Sequence, residues 1–167
     1  ITTRLVGSEM CIRDRVKDVL ENIERYSAAN NHYVFEITET IEMDQIPAVQ
    51  NVFKEFVKNE FRFAIDDFGT GYSNYGYMRD RTFDIVKVDR SFVTDIDKLK
   101  DNYLMVSFII KMAHEMGLHV CIEGVETKEE LSCVKKLGAD YIQGYYYGKP
   151  VCLQDFEEQH LKRFVLG

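Results

Sequence analysis

No stretch of this 167-residue chain stays apolar for the length a membrane span requires, and no signal-peptide pattern is visible in it. An excess of basic residues is also missing. Lys and Arg number 21 against 28 Asp and Glu, a net charge of −7, which argues against a nucleic-acid polymer or an anionic membrane surface as partner. That acidity does not exclude a phosphate-bearing ligand, because bound metal ions reverse the local field. The four cysteines, Cys11, Cys121, Cys133 and Cys152, form no CxxC or Cys/His pattern. A zinc site is thereby disfavoured, and a reducing, cytoplasmic setting fits best. Cys121 sits in the apolar run 118–122, where a buried thiol is expected. The histidines are equally scattered, with His114 and His119 flanking a helix-to-strand turn and offering little as metal ligands. No GxGxxG follows a strand and no P-loop is present, so those nucleotide-binding folds have no support. Low-complexity linkers and internal repeats are absent as well.

What remains is an ordinary globular composition on a chain long enough for one domain with a real core. Apolar periodicity alternates between the strand and helix types. Strands are predicted over Tyr33–Ile37, Phe61–Ile65, Phe83–Val88, Leu118–Ile122 and Tyr141–Ile142. Helices are predicted over Val16–Asn30, Met43–Asn59, Asn102–Met116, Thr127–Leu137 and Leu153–Phe164. Gly117 and Gly138 stand where two of these helices stop, and Thr127 with Glu130 has the spacing of a capping box. Strands separated by helices, with no hairpin signal, require parallel strands and helical crossovers. Either an open doubly wound sheet or part of a barrel satisfies that pattern.

The polar residues fall at the strand ends. The first strand carries Glu36 and leads into Glu39, the second delivers Asp66 and Asp67, and the third holds Lys87 inside an apolar run. Glu123 follows the fourth strand, with Glu126 three residues on, and Gln143 follows the fifth. Parallel strands bring their carboxyl ends to one face, where ligands bind. Two adjacent acids repel each other unless a cation sits between them. Glu36, Asp66, Asp67 and Glu123 would form an all-oxygen cluster suited to Mg²⁺ or Mn²⁺. Two such ions sharing a carboxylate could activate water for attack on a phosphoryl group, with Lys87 stabilising the developing charge. A plainer reading competes: each acid is a solvated rim residue, and Lys87 pairs with Asp84 or Asp89. Five strands in succession behaving alike favours the cluster.

These segments also resemble a known family. Glu36-Ile37-Thr38-Glu39, Asp66-Asp67-Phe68-Gly69-Thr70-Gly71, Asp84-Ile85-Val86-Lys87-Val88-Asp89-Arg90, Glu123-Gly124-Val125-Glu126-Thr127 and Gln143-Gly144-Tyr145 through Pro150 are similar, in order, to the motifs of the EAL domain. Bacterial EAL-domain enzymes hydrolyse cyclic di-GMP to linear pGpG with Mg²⁺ or Mn²⁺ on a TIM-type barrel with one antiparallel strand. The resemblance implies that Glu36 and Asp66 hold one metal and that Asp66 bridges to a second. It implies that Asp67 and Glu123 lie at the second metal. Lys87 would hold the catalytic water, and Glu123 would also serve as general base. Gln143 and Glu126 would face the substrate, and Glu39 would brace the loop Phe68–Tyr75, through which a homodimer would form. Sensory or diguanylate cyclase domains upstream and a tether to the inner membrane are further implications.

The resemblance covers residues 16–167, and two of its features are missing. Neither the Glu-Ala-Leu motif nor the Asn ligand of a later strand is found, and Val6–Arg15 (VGSEMCIRDR) resembles sequencing-adaptor read-through. Residues 1–15 are therefore expected to be non-native, and 16–167 to be the C-terminal two-thirds of an EAL domain. A barrel of this type needs about 250 residues. The expectation is an α/β fold, an incomplete TIM-type (β/α) barrel, whose parent is the enzyme while this chain itself turns over negligibly. A cyclic di-GMP receptor or interaction module without catalysis is the alternative.

Overall fold

The structure, a computed structural model, describes residues 33–38, 54, 56–70 and 83–156. Residues 1–32, 39–53 (Glu39 among them), 55, 71–82 and 157–167 lie outside the described residues. So do the predicted helix 16–30, most of the helix 43–59 and the larger part of the helix 153–164.

Five strands form one sheet: β1 (Val34–Thr38), β2 (Arg62–Phe68), β3 (Ile85–Val88), β4 (His119–Ile122) and β5 (Tyr141–Ile142). Every neighbouring pair is parallel, and the spatial order is the chain order. This order decides between the two architectures left open. A doubly wound sheet reverses its strand order at a switch point. An order that never reverses, joined by right-handed crossovers, puts every helix on the same side. The described sheet is thus an arc of barrel wall, with helices outside and a concave inner face.

Among the described residues four helices accompany it: α1 (Arg90–Val93), α2 (Lys100–Glu115), α3 (Lys128–Leu137) and α4 (Leu153–Phe156). On α2 the buried residues Val106, Ile109, Ile110 and Ala113 recur at helical spacing and face the core. Thr127 caps α3 with the reciprocal Thr127–Glu130 arrangement predicted from its sequence, and Gly138 ends it in the left-handed region at φ 88°. Gly117, at φ 80°, turns the chain from α2 towards β4. No helix among the described residues is long and apolar enough to cross a membrane.

Strand alternation separates the two faces. Phe35, Ile37, Phe63, Ile65, Val86 and Val88 point outward into the helix-covered core and are buried. Phe56 packs edge-on against Phe35 at 4.7 Å and Phe61 at 5.1 Å between ring centroids, closing the core beside β1. Each such ring withdrawn from water contributes roughly 1.5–3 kcal/mol. The opposite set, which includes Glu36, Ala64 and Lys87, lines the concave face.

Two departures from expectation bear on the site. β2 continues through Asp66 and Asp67 to Phe68, because Thr38 pairs with Asp66 and Phe68 with Val88 across a register shift. The four-residue α1 was not anticipated. Its signal is local: Asp89 takes an extended conformation and its carboxylate accepts from the Ser91 N–H at 2.9 Å, as an N-cap does.

Candidate metal centre

The concave face ends in a lysine surrounded by acids. Lys87 Nζ lies 2.7 Å from Glu36 Oε1, 2.8 Å from Asp66 Oδ1 and 2.8 Å from Glu123 Oε1. Three strands deliver these groups to it: β1 carries Glu36, β2 carries Asp66, and β4 ends one residue before Glu123. Lys87 itself is only 6% exposed. Three carboxylates sharing one ammonium leave a surplus of two negative charges at that contact.

Asp67 joins them by a local departure from strand geometry. Simple alternation would turn its side chain away from that of Asp66. Its φ of 54° and the register shift between Ile65 and Phe68 break the alternation. Carboxylate oxygens of Asp66, Asp67 and Glu123 consequently lie within 4.8 Å of one another. Glu36 is outside that trio and meets Lys87 instead.

Burial works against the charge on Lys87, but hydrogen bonds to Asp66, Glu123 and Glu36 outweigh it and hold the ammonium well above the usual lysine range. Burial pushes the Glu123 carboxyl up, and the ion pair with Lys87 offsets this only in part. The Cys121 thiol, on the same face, is pushed up to about 11 by burial and by neighbouring Glu123. It is half-buried on the concave wall, not enclosed in the apolar core as its sequence context suggests.

Carboxylate oxygens alone suit a hard divalent cation, and neither sulfur nor imidazole competes within the trio. The residues present therefore fit such an ion. Glu36 and Lys87 also border a concavity of about 260 Å³ on the inner face, whose wall includes Arg62, Cys121 and Gln143 and none of the trio. Gln143 is held there by its backbone, which donates to Ile122 O at 2.8 Å and accepts from Val125 N at 3.2 Å.

The remaining candidates are placed differently. Glu126 reaches Arg90 Nη2 at 3.0 Å, an exposed pair away from the Lys87 contact. Neither Asp84 nor Asp89 pairs with Lys87: Asp84 accepts from Phe63 N at 3.0 Å, and Asp89 caps α1. Lys87 is an ion-pair partner, as the plainer reading has it, but of Glu36, Asp66 and Glu123 and not of Asp84 or Asp89. Both histidines gather on Asp140 at the amino-terminal end of β4 and β5, His114 at 2.8 Å and His119 at 3.5 Å.

Sequence reasoning found only part of the role of one supporting residue, Glu130. The Glu130 carboxylate accepts from Asp95 N at 3.2 Å, Glu126 N at 2.9 Å and Thr127 N at 3.0 Å. It thereby fixes the segment that follows Glu123. The capping-box spacing reveals its bond to Thr127, but nothing local points to Asp95.

Comparison with known proteins agrees with this geometry. A family model described as the EAL domain matches residues 5–150. Cyclic di-GMP phosphodiesterase PdeB of Shewanella oneidensis is 30% identical over 165 residues, which is 99% of this chain and 19% of that protein. The EAL enzyme Bd1971, solved with cAMP and cyclic di-GMP bound, superposes with a TM-score of 0.84 at 32% identity, covering 94% of this chain and 42% of that one. Klebsiella pneumoniae BlrP1, in its manganese and cyclic di-GMP complex, gives a TM-score of 0.78 at 28% identity, covering 89% and 38%. The chain spans between 14% and 23% of the length of four curated relatives it matches.

Proposed function

The chain belongs to the EAL-domain family, and on that footing we propose that the protein carrying this domain hydrolyses cyclic di-GMP to linear pGpG. The observation that carries the reading is the convergence of Asp66, Asp67 and Glu123 within 4.8 Å, beside a buried lysine at the carboxyl ends of parallel strands. The manganese and cyclic di-GMP held by BlrP1 support it. Asp66, Asp67 and Glu123 would hold a divalent cation, Mg²⁺ or Mn²⁺, which would supply Lewis acidity and neutralise charge at the phosphate. In the fuller form of this proposal two ions would be held, with Glu36 and Asp66 serving the first and Asp66, Asp67 and Glu123 the second.

The chain's own residues account for the rest. Water adds to the phosphorus and the bond to the ribose 3′ oxygen breaks, which opens the ring and leaves that oxygen to take a proton from solvent as the free 3′ hydroxyl. Glu123 takes the proton of the attacking water, since its carboxylate lies in the cluster and burial raises its basicity. Lys87 Nζ, released from Asp66 and Glu123 as the cation takes their oxygens, would hold that water and stabilise the charge gathering on the phosphoryl oxygens. Gln143, on the wall of the concavity, and Glu126 offer polar groups to the nucleotide.

The test is conversion of cyclic di-GMP in Mn²⁺ by the purified intact protein that carries this domain, followed by chromatography. Formation of pGpG that ceases on chelation, and in a Glu123→Gln variant, is the expected result. Binding of cyclic di-GMP without any pGpG would replace the reading with a receptor.

A further inference from the structure

An ammonium has three N–H donors, and those of Lys87 meet three carboxylates from three separate segments of the sheet. Its donor capacity is thus saturated inside the wall. Two of its acceptors, Asp66 and Glu123, also belong to the trio that gathers within 4.8 Å. We infer that Lys87 is a built-in counter-cation that holds the carboxylates in place and competes with the divalent ion for them.

The competition follows from shared ligands. An ion entering among Asp66, Asp67 and Glu123 must take oxygens that the ammonium holds, or their partners on the same carboxylates. In either case it meets a fixed positive charge in a poorly solvated place, where charges interact strongly. Glu36 stands outside the trio and offers the ammonium a partner when it yields the others. Lys87 is in this respect a positioning residue. It keeps four strands' worth of polar groups in register while lowering affinity for the cation, so that occupancy follows the supply of free Mg²⁺ or Mn²⁺. This inference rests on the proposed cation site and adds to it a claim about affinity.

Mn²⁺ titration of the full chain, by calorimetry and by the electron paramagnetic resonance of free Mn²⁺, tests it without recourse to activity. Lys87→Met is expected to bind Mn²⁺ at least about tenfold more tightly than the parent sequence. Its metal-free melting temperature should fall, because Glu36, Asp66 and Glu123 then face one another without a cation. Its gain in melting temperature on adding Mn²⁺ should exceed that of the parent. Unchanged or weaker binding by Lys87→Met would overturn the inference while leaving the cation site standing. Absence of Mn²⁺ binding in both proteins would overturn the site and the inference together. Should Lys87→Met fail to fold, Lys87→Gln, which keeps hydrogen-bond donors for the carboxylates but removes the charge, decides the matter. Binding tighter than the parent's supports competition, and unchanged or weaker binding refutes it.

Discussion

A Cβ added to Gly144 would lie 2.1 Å from the carbonyl oxygen of Val125. The same oxygen accepts from Tyr146 N at 3.0 Å. Backbone therefore meets backbone between the segment after β4, which carries Glu123, and the turn after β5, which begins at Gln143. These two site residues are positioned as a unit, because neither segment can shift without the other.

Gly144→Ala should accordingly destabilise the domain by about 3 kcal/mol, the upper range for overpacking, since backbone cannot rotate aside as a side chain would. Gly148→Ala is the control, because a Cβ there meets nothing within 4 Å. Urea unfolding of the two variants checks this, and equal midpoints would show that the contact relaxes freely.

Glu130 supports the same segment from beneath. Its buried carboxylate satisfies three backbone N–H groups, so Glu130→Ala leaves three donors without that partner. A loss of roughly 3 kcal/mol is expected, against about 1 kcal/mol for removal of the cap in Thr127→Ala. Denaturant midpoints measure both, and a Glu130→Ala cost no larger than that of Thr127→Ala would reduce Glu130 to a simple helix cap.

Acid should erase part of this support. Burial pushes the Glu130 carboxyl up, but the backbone donors of Glu126, Thr127 and Asp95 outweigh it and hold it below the ordinary 4.5. Asp140 follows the same pattern, with His114, Val120 N and His119 holding it below 3.8 against the effect of burial. For both, the folded chain binds its proton more weakly than the unfolded chain. Their stabilisation is complete above those ordinary values and is lost as pH falls through the lower folded ones. The gap in melting temperature between the parent and Asp140→Asn, or Glu130→Gln, should be widest near pH 6 and shrink towards pH 3. A gap independent of pH would contradict the assignment.

Legibility in the sequence divides along physical lines. The succession and parallel direction of the strands and their five polar ends could be read, because period-2 burial and helical crossovers act over a few residues and along the whole chain alike. Glu36, Asp66, Lys87, Glu123 and Gln143 all stand on or beside the concave face for that reason. The spatial order of the strands stays open between two architectures in the sequence alone, and the structure decides it. Side-chain convergence was less legible. Asp67 reaches the trio only through a positive φ and a register shift, which no local pattern announces. Glu130 finds Asp95 across 35 residues, a partnership created by packing α3 against the turn before α2. Likewise, the pairing of Glu36 with Lys87 depends on two strands separated in the sheet by β2.

The acids themselves offer the most direct experiment. Asp66→Asn and Asp67→Asn preserve volume while removing the charge that a divalent cation requires. Each should weaken Mn²⁺ binding and lower hydrolysis of cyclic di-GMP by at least about 100-fold, the upper range of loss seen even for residues that only support a metal site. Asp66→Asn should also lower the metal-free melting temperature, because it takes from Lys87 a charged partner at 2.8 Å. Glu126→Gln provides the contrast. Its carboxylate pairs with exposed Arg90 and lies outside the trio, so its Mn²⁺ affinity should stay within about twofold of the parent's, as expected for a surface ion pair. Should Glu126→Gln abolish Mn²⁺ binding while Asp67→Asn spares it, the cation would lie on the Arg90 side of the strand ends and the assignment of the trio would be wrong.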